Sequence, residues 1–225
     1  MIKGVLWDLD GTLVDSNDAH AASWVKALKE TAGIREEFSR VRTLIGMGGD
    51  QLLPQLGIYP ENELFEKIQE KRGQIFREVH LPKISAFAGA RELVEKNLQR
   101  GLKVSIASSS SPSDLTALLD QTGLADFFRN YSSAHDVEES KPSPDVIEAA
   151  LAKIHLSAAE AILIGDTPYD ITAARRAGCA TLAFRCGGFS DQELHGALAV
   201  YDGPWELLRA YRSSVLAQAR PAAAA

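Results

Sequence analysis

Asp8-Leu9-Asp10-Gly11-Thr12 closes the first apolar run of the chain, IKGVLW at residues 2–7. Two carboxylates at this spacing can divide the work of a group transfer. An ionised aspartate is already a nucleophile at neutral pH, and a second one beside it can move protons. The same residues also fit a plain β-hairpin, because Asp-Gly tolerates the positive φ of a type I′ turn. Polar residues follow the later apolar runs in the same way: Ser108 and Ser109 after LKVSIA (102–107), Lys141 in ESKPSPD, and Asp166 with Asp170 after AILIG (161–165). Each alone has an ordinary account. The serines can cap a helix, Asp166 and Asp170 can cap and charge a first turn, and Lys141 can be a solvated lysine.

The elements that would position these residues can be read from the hydrophobic pattern. IKGVLW, LKVSIA, AILIG, ATLAF (180–184) and ALAVY (197–201) have the length and composition of buried strands, and NYSSA (130–134) is a further candidate. Between them lie amphipathic segments at helical spacing, ARELVEKNLQRG, PSDLTALLDQTG, PSPDVIEAALAKI and PYDITAARRAG, several of which stop at Gly. This alternation predicts right-handed βαβ units and a parallel sheet. Residues 17–85 break the rhythm with helix after helix (AHAASWVKALKE, EEFSRVRTLIG, ENELFEKIQEKRGQIFREV) and no strand. The chain after Thr12 therefore offers no second strand for a hairpin. Asp8 and Asp10 instead end a first parallel strand, on the side where open α/β sheets bind ligands. Ser143-Pro144 reads as the N-cap and first position of a helix, and Pro142 keeps Lys141 in the loop before it.

Taken together, DLDGT, the strand ending at Ser108, Lys141 followed by Pro142, and GDTPYD resemble the four ordered motifs of the haloacid dehalogenase superfamily of phosphohydrolases. The resemblance spans nearly the whole chain. It implies an α/β fold, a Rossmann-like parallel-sheet core formed by residues 1–16 and 86–216, with a helical cap inserted at 17–85. Residues 217–225, which include the low-complexity RPAAAA, are expected to be a disordered tail. The implied reaction is hydrolysis of a small phosphomonoester through an aspartyl-phosphate.

On that resemblance Asp8 is the nucleophile and Asp10 the acid and base. Asp8, Asp166 and the Asp10 carbonyl hold Mg²⁺, and Asp170 orients a metal-bound water. The chemistry is consistent with this, since an anionic nucleophile and an anionic substrate repel and an all-oxygen donor set suits Mg²⁺. Ser108, Lys141 and the backbone N–H groups of Ser109 and Gly11 are the expected donors to the phosphoryl oxygens. Asp10 favours phosphate chemistry over halide displacement, which needs no acid for a leaving alkoxide.

Within the cap, LIGMGGDQLL (44–53) is the expected source of specificity. Gly46, Gly48 and Gly49 would let its backbone approach a ligand, although a plain interhelix turn reads equally well. The loop holds no Lys, Arg or Ser for a second phosphate. That argues against a β-phosphoglucomutase-like mutase, which stays as the alternative enzyme; a catalytically silent binding domain would not need the four motif residues. His20 could contact substrate or simply pack. Arg42, Arg72 and Arg77 are candidate anion contacts with a solvated helix face as the competing account. His80, His135, His155 and His195 share no ligand spacing, so zinc is not expected.

Composition agrees. The 225 residues are 45% hydrophobic and 24% charged with a net charge of −6, which fits a globular protein and gives no basic face for nucleic acid. The two cysteines, Cys179 and Cys186, form no CxxC pair. With no signal peptide or membrane-length apolar run, a cytoplasmic monomer or homodimer is the expectation.

Overall fold

The computed structural model of the chain describes residues 1–128 and 131–219; residues 129, 130 and 220–225 and the side chain of His135 lie outside the described residues. Six strands form one sheet, β1 (Gly4–Trp7), β2 (Lys103–Ala107), β3 (Tyr131–Ser132), β4 (Ala161–Gly165), β5 (Ala180–Phe184) and β6 (Ala199–Tyr201), in the order β3-β2-β1-β4-β5-β6. Every adjacent pair is parallel. Of the expected strand NYSSA, residues 131–132 pair with β2, and Asn130 lies outside the described residues.

Parallel strands covered on both sides must be apolar on both faces, and β1 meets that demand. Val5 and Trp7 join a core with Leu93 and Val94 of α5 (Ala90–Gln99) and Leu115 and Leu118 of α6 (Pro112–Thr122). Leu6 points the other way, to Val146 and Ile147 of α7 (Asp145–Ile154) and Ala173 and Ala174 of α8 (Pro168–Arg176). Helix α7 begins one residue later than the sequence suggests, with Pro144 as its N-cap, because the Ser143 hydroxyl turns to Asp145 Oδ1 at 2.7 Å instead of capping.

Residues between β1 and α5 form α1 (Asn17–Ala32), α2 (Phe38–Arg42), α3 (Gly49–Gln55) and α4 (Phe65–Ile75), the last continued by a wide turn at Phe76–His80. They enclose a hydrophobic cluster of their own, built on Trp24, Leu28, Leu52, Leu53 and Ile68. The chain leaves and rejoins the core at one place: Asp15 N–H donates to Ser85 O at 3.0 Å, and Phe87 N–H to Leu13 O at 2.9 Å, across an antiparallel bridge between Val14 and Ala86.

The C-terminal boundary differs from the expected one. Val215–Gln218 form a 3-10 turn, and Leu216 and Ala219 are buried against the core, so 217–219 belong to the fold. Among the described residues, no helix is long and apolar enough to cross a membrane.

Candidate active site

The chain runs from β1 outward to β2 and β3, then crosses to β4 on the other side of β1. The crevice at the carboxyl ends of β1 and β4 is therefore the topological switch point, where such sheets bind ligands. Asp8 follows β1, its N–H still bonded to Ile164 O at 2.8 Å, and Asp166 follows β4. Lys141 comes from the loop before α7 and reaches across with its ammonium 2.6 Å from Asp8 Oδ1 and 2.6 Å from Asp170 Oδ1. The Lys141–Pro142 peptide is cis.

The residues after Asp8 fold into a tight turn. Leu13 and Val14 N–H both point at Leu9 O (2.9 and 3.1 Å), and Gly11 N–H donates to Val14 O at 2.8 Å. The expectation that this N–H binds phosphate is thus not met, since the Val14 carbonyl already holds it. Glycine is required at 11 for another reason: φ is +79°, and a Cβ would lie 2.1 Å from Asn17 Nδ2 and 2.3 Å from Asp166 Oδ2.

Asp166 is held on both oxygens, by Thr12 Oγ1 at 2.7 Å and Asn17 Nδ2 at 2.9 Å. Asp170 completes a capping box at the start of α8, its Oδ2 accepting from Thr167 N–H at 3.0 Å and Thr167 Oγ1 at 2.7 Å. The capping account of Asp170 and its place at the site hold together, because its two oxygens face different ways. Oxygens of Asp8, Asp166 and Asp170 lie within 4.8 Å of one another.

Burial in this cluster shapes its charge. It pushes the Asp8 carboxyl up to about 7, with Lys141 opposing and Asp170 and Asp10 adding to the rise. Burial and the neighbouring Asp8 and Asp170 likewise hold Asp166 well above the usual carboxylate range, against the Thr12 and Asn17 donors. For Lys141 burial acts the other way, but Asp170 and Asp8 outweigh it and raise its pKa. Three carboxylates against one ammonium leave an excess of two negative charges when ionised. An all-carboxylate donor set with that excess fits a hard divalent cation.

Asp10 stands apart. Its Oδ1 accepts from Ser16 Oγ at 2.5 Å and lies 2.7 Å from His20 Nε2, and its Oδ2 accepts from Ser110 Oγ at 2.6 Å. Burial alone would raise it, yet His20, Ser110 and Ser16 prevail and hold the carboxyl well below the usual range. His20 is buried, its ring stacked on Phe76 with centroids 4.0 Å apart. Ser108 Oγ accepts from Ser110 N–H at 3.1 Å, and Ser109 Oγ accepts from Lys141 N–H at 3.3 Å.

A cavity of about 40 Å³ lies between the sheet edge and the helical segment, lined by Asp8, Asp10, Ser108–Ser110, His20, Trp24, Gly46–Gly49 and Arg72. Gly46, at φ +110°, crosses so close to Thr167 that a Cβ would meet its side chain at 2.7 Å. The loop is tied down: Asp50 Oδ2 and Oδ1 accept from Ser140 N–H (2.9 Å) and Ser140 Oγ (2.5 Å), and Gly48 N–H donates to that hydroxyl at 2.9 Å. Arg72, for which a solvated face was the competing account, is largely buried and reaches Asp114 of α6. The cavity therefore has a basic group from α4 although the loop has none. Arg42 donates to Gly187 O and pairs with Asp18, at 2.6 Å in the latter case.

Sequence reading missed Thr12, Ser16, Asn17, Ser110, Asp50, Ser140 and Asp114. Ser16 and His20 stand at i, i+4 at the start of α1, a spacing that signals a shared target. The Asp50–Ser140 tie, 90 residues apart, leaves no local trace.

The family described as "Haloacid dehalogenase-like hydrolase" matches residues 5–184. A phosphoglycolate phosphatase of Pectobacterium atrosepticum is 28% identical over 83% of this chain and 81% of its own. The crystal structure of a hydrolase from Pseudomonas syringae superposes with a TM-score of 0.88 at 34% identity, covering 94% of this chain and 98% of that one. A putative β-phosphoglucomutase from Bacteroides vulgatus is similar at a TM-score of 0.83 and 26% identity, covering 94% and 88%.

Proposed function

Because the chain belongs to the haloacid dehalogenase-like hydrolases, we propose that it is a phosphatase that hydrolyses a small phosphorylated metabolite through a covalent phosphate ester of Asp8. The observation that carries this reading is the placement of Asp8 at the switch point, paired with Lys141 Nζ at 2.6 Å and beside Asp166 and Asp170.

An Asp8 oxygen bonds to phosphorus in line with the alkoxide, and the ester P–O bond breaks. The alkoxide takes a proton by way of Asp10, whose Oδ1 lies 2.7 Å from His20 Nε2. In the second half Asp10 removes a proton from water, whose oxygen bonds to phosphorus as the P–O bond to Asp8 breaks. Lys141 and Ser108 stand as donors to the transferring oxygens. Mg²⁺ held by Asp8, Asp166 and the Asp10 carbonyl, with Asp170 beside it, would neutralise the charge on nucleophile and phosphate. The helical segment acts as a cap over the leaving group, its Trp24, Gly46–Gly49 and Arg72 facing Asp8 and Ser108–Ser110 across the cavity.

Phosphoglycolate and short sugar phosphates head the panel on which phosphate release should be assayed with Mg²⁺ and with EDTA. Release is expected to stop with EDTA and in Asp8→Asn; undiminished activity in that variant would sink the mechanism. Interconversion of sugar-phosphate isomers faster than phosphate release would instead support a mutase, a reading that gains from the basic Arg72 at the cavity.

A further inference from the structure

Asn17, the first residue of α1, is 3% exposed and sits just past the place where the helical segment leaves the core. Its Nδ2 donates to Asp166 Oδ2 at 2.9 Å and to Gly187 O at 3.1 Å. Two acceptors on that side fix which way the amide faces. Gly187 is itself pressed against the same carboxylate, since a Cβ there would lie 1.8 Å from Asp166 Oδ2. The Gly187 carbonyl accepts a second donor from the helical segment, Arg42 Nη2. That guanidinium also pairs with Asp18 through Nε at 2.6 Å and lies 5.8 Å from the centroid of the Phe189 ring.

Asp166 is therefore oriented from two bodies. Thr12 Oγ1, in the turn after β1, holds Oδ1 at 2.7 Å, and Asn17 holds Oδ2. Only the second of these donors belongs to the helical segment. The amide oxygen of Asn17 is buried with no partner among the described residues. An acceptor in that state costs free energy, and Mg²⁺ bound by carboxylates keeps several waters whose hydrogens need acceptors. One amide thus offers a donor to the carboxylate and an acceptor to a hydrated cation. The link is separate from His20, which turns to Asp10.

We propose that Asn17 is a positioning residue that sets Asp166 for Mg²⁺, and that through the Asn17, Gly187 and Arg42 contacts cation binding is linked to the seating of the helical segment on the core. The inference rests on the Mg²⁺ reading above. A hydrogen-bond partner of a ligating carboxylate fixes the ligand's orientation, and its loss weakens metal binding. Linkage is reciprocal: if the seated segment improves the site, the bound cation holds the segment down by the same factor. Arg42 reaches Asp18 and the shared Gly187 carbonyl, so its loss bears on the cation through the seat alone.

Calorimetric titration of Mg²⁺ into the substrate-free protein at pH ~8 tests this without any turnover. Asn17→Ala should weaken binding by roughly 10- to 100-fold. Arg42→Gln should weaken it less, and in the Asn17→Ala background it should have no further effect, because the link it acts through is gone. In the wild-type protein Mg²⁺ should slow hydrogen exchange at the Thr43, Leu44 and Ile45 amides, which follow Arg42 in the helical segment and supply no ligand. Equal Mg²⁺ affinity in wild type and Asn17→Ala overturns the positioning role. An Arg42→Gln effect of the same size in both backgrounds overturns the linkage, and so does unchanged exchange at those amides in the wild-type protein, a result that needs no variant to fold. Absence of Mg²⁺ binding by the wild-type protein is a separate outcome: it removes the cation reading and this inference with it.

Discussion

The His20 imidazole and the Asp10 carboxylate meet at 2.7 Å in a buried setting, joining the first helix of the helical segment to the turn that follows Asp8. His20 thereby acts on Asp10 while its ring stacks on Phe76, which fixes its orientation.

His20→Ala should lower kcat by roughly 10- to 100-fold, at or below the range for losing an acid–base group outright. Its pH profile separates a tuning role from a packing role. His20 holds the Asp10 carboxyl low, so without it Asp10 needs a higher pH to ionise and the acid limb of the rate profile should move upward. A lower rate with the limb unmoved would assign His20 to packing.

Lys141 neutralises part of a carboxylate cluster and is 1% exposed. Lys141→Met leaves that charge unpaired, at a cost of about 3–5 kcal/mol, which for a chain of this size lowers Tm by roughly 10 °C. Thermal unfolding in EDTA should show the drop, and adding Asp8→Asn should recover part of it. Additive losses in the double variant would show that the two side chains are not coupled.

Stability without metal should fall as pH rises through neutrality. The folded Asp8 carboxyl is raised to about 7 from 3.8, and Asp166 moves the same way. The folded state therefore binds more protons than the unfolded chain in this window, and that stabilisation is lost as pH passes the raised value. Asp10 and Glu160 are lowered instead and have made their contribution by pH ~5. In EDTA, Tm should be lower at pH ~8 than at pH ~5, and Asp166→Asn should raise it at the higher pH. Mg²⁺ should raise Tm more at pH ~8, where its ligands are ionised. An equal effect of Mg²⁺ at both pH values would argue against these carboxylates as the ligands.

Asp50 anchors the cap loop to the residue before Lys141, with Ser140 Oγ at 2.5 Å. Asp50→Ala should cost about 1–3 kcal/mol and raise KM roughly tenfold with a smaller change in kcat, since the loop faces the leaving group and not the phosphoryl transfer. Initial-rate kinetics give the split directly; a change confined to kcat would place the loop's role at Lys141.

The α/β sheet was legible because each strand is a short apolar run ending in a polar residue; Asp8 and Asp166 were legible because they sit where those runs end, and Lys141 because Pro142 marks it as a loop residue before a helix. Gly11 shows the limit. Its spacing in DLDGT marked it as special, but its N–H turns inward to Val14, and the need for glycine comes from a positive φ and from crowding by Asn17, six residues on, and by Asp166 from the far side of the sequence. Arg72 reads in the sequence as a candidate anion contact or a solvated charge, and only its contacts with Asp114 of α6 and with the Trp24 ring bury it. Contacts between the cap and the core depend on how two separately packed bodies meet, and periodicity within either one carries no record of that.

The paired backbone contacts of Leu13 and Asp15 with Phe87 and Ser85 have a consequence for how the protein can vary. The two ends of the helical segment are clasped a hydrogen bond apart, so the sheet does not register how much chain lies between them. Loop closure grows only with the logarithm of length. A longer, shorter or differently charged segment could be spliced at the same clasp and change which alcohol is accepted, provided that its first turn keeps Asn17 on Asp166 and His20 on Asp10.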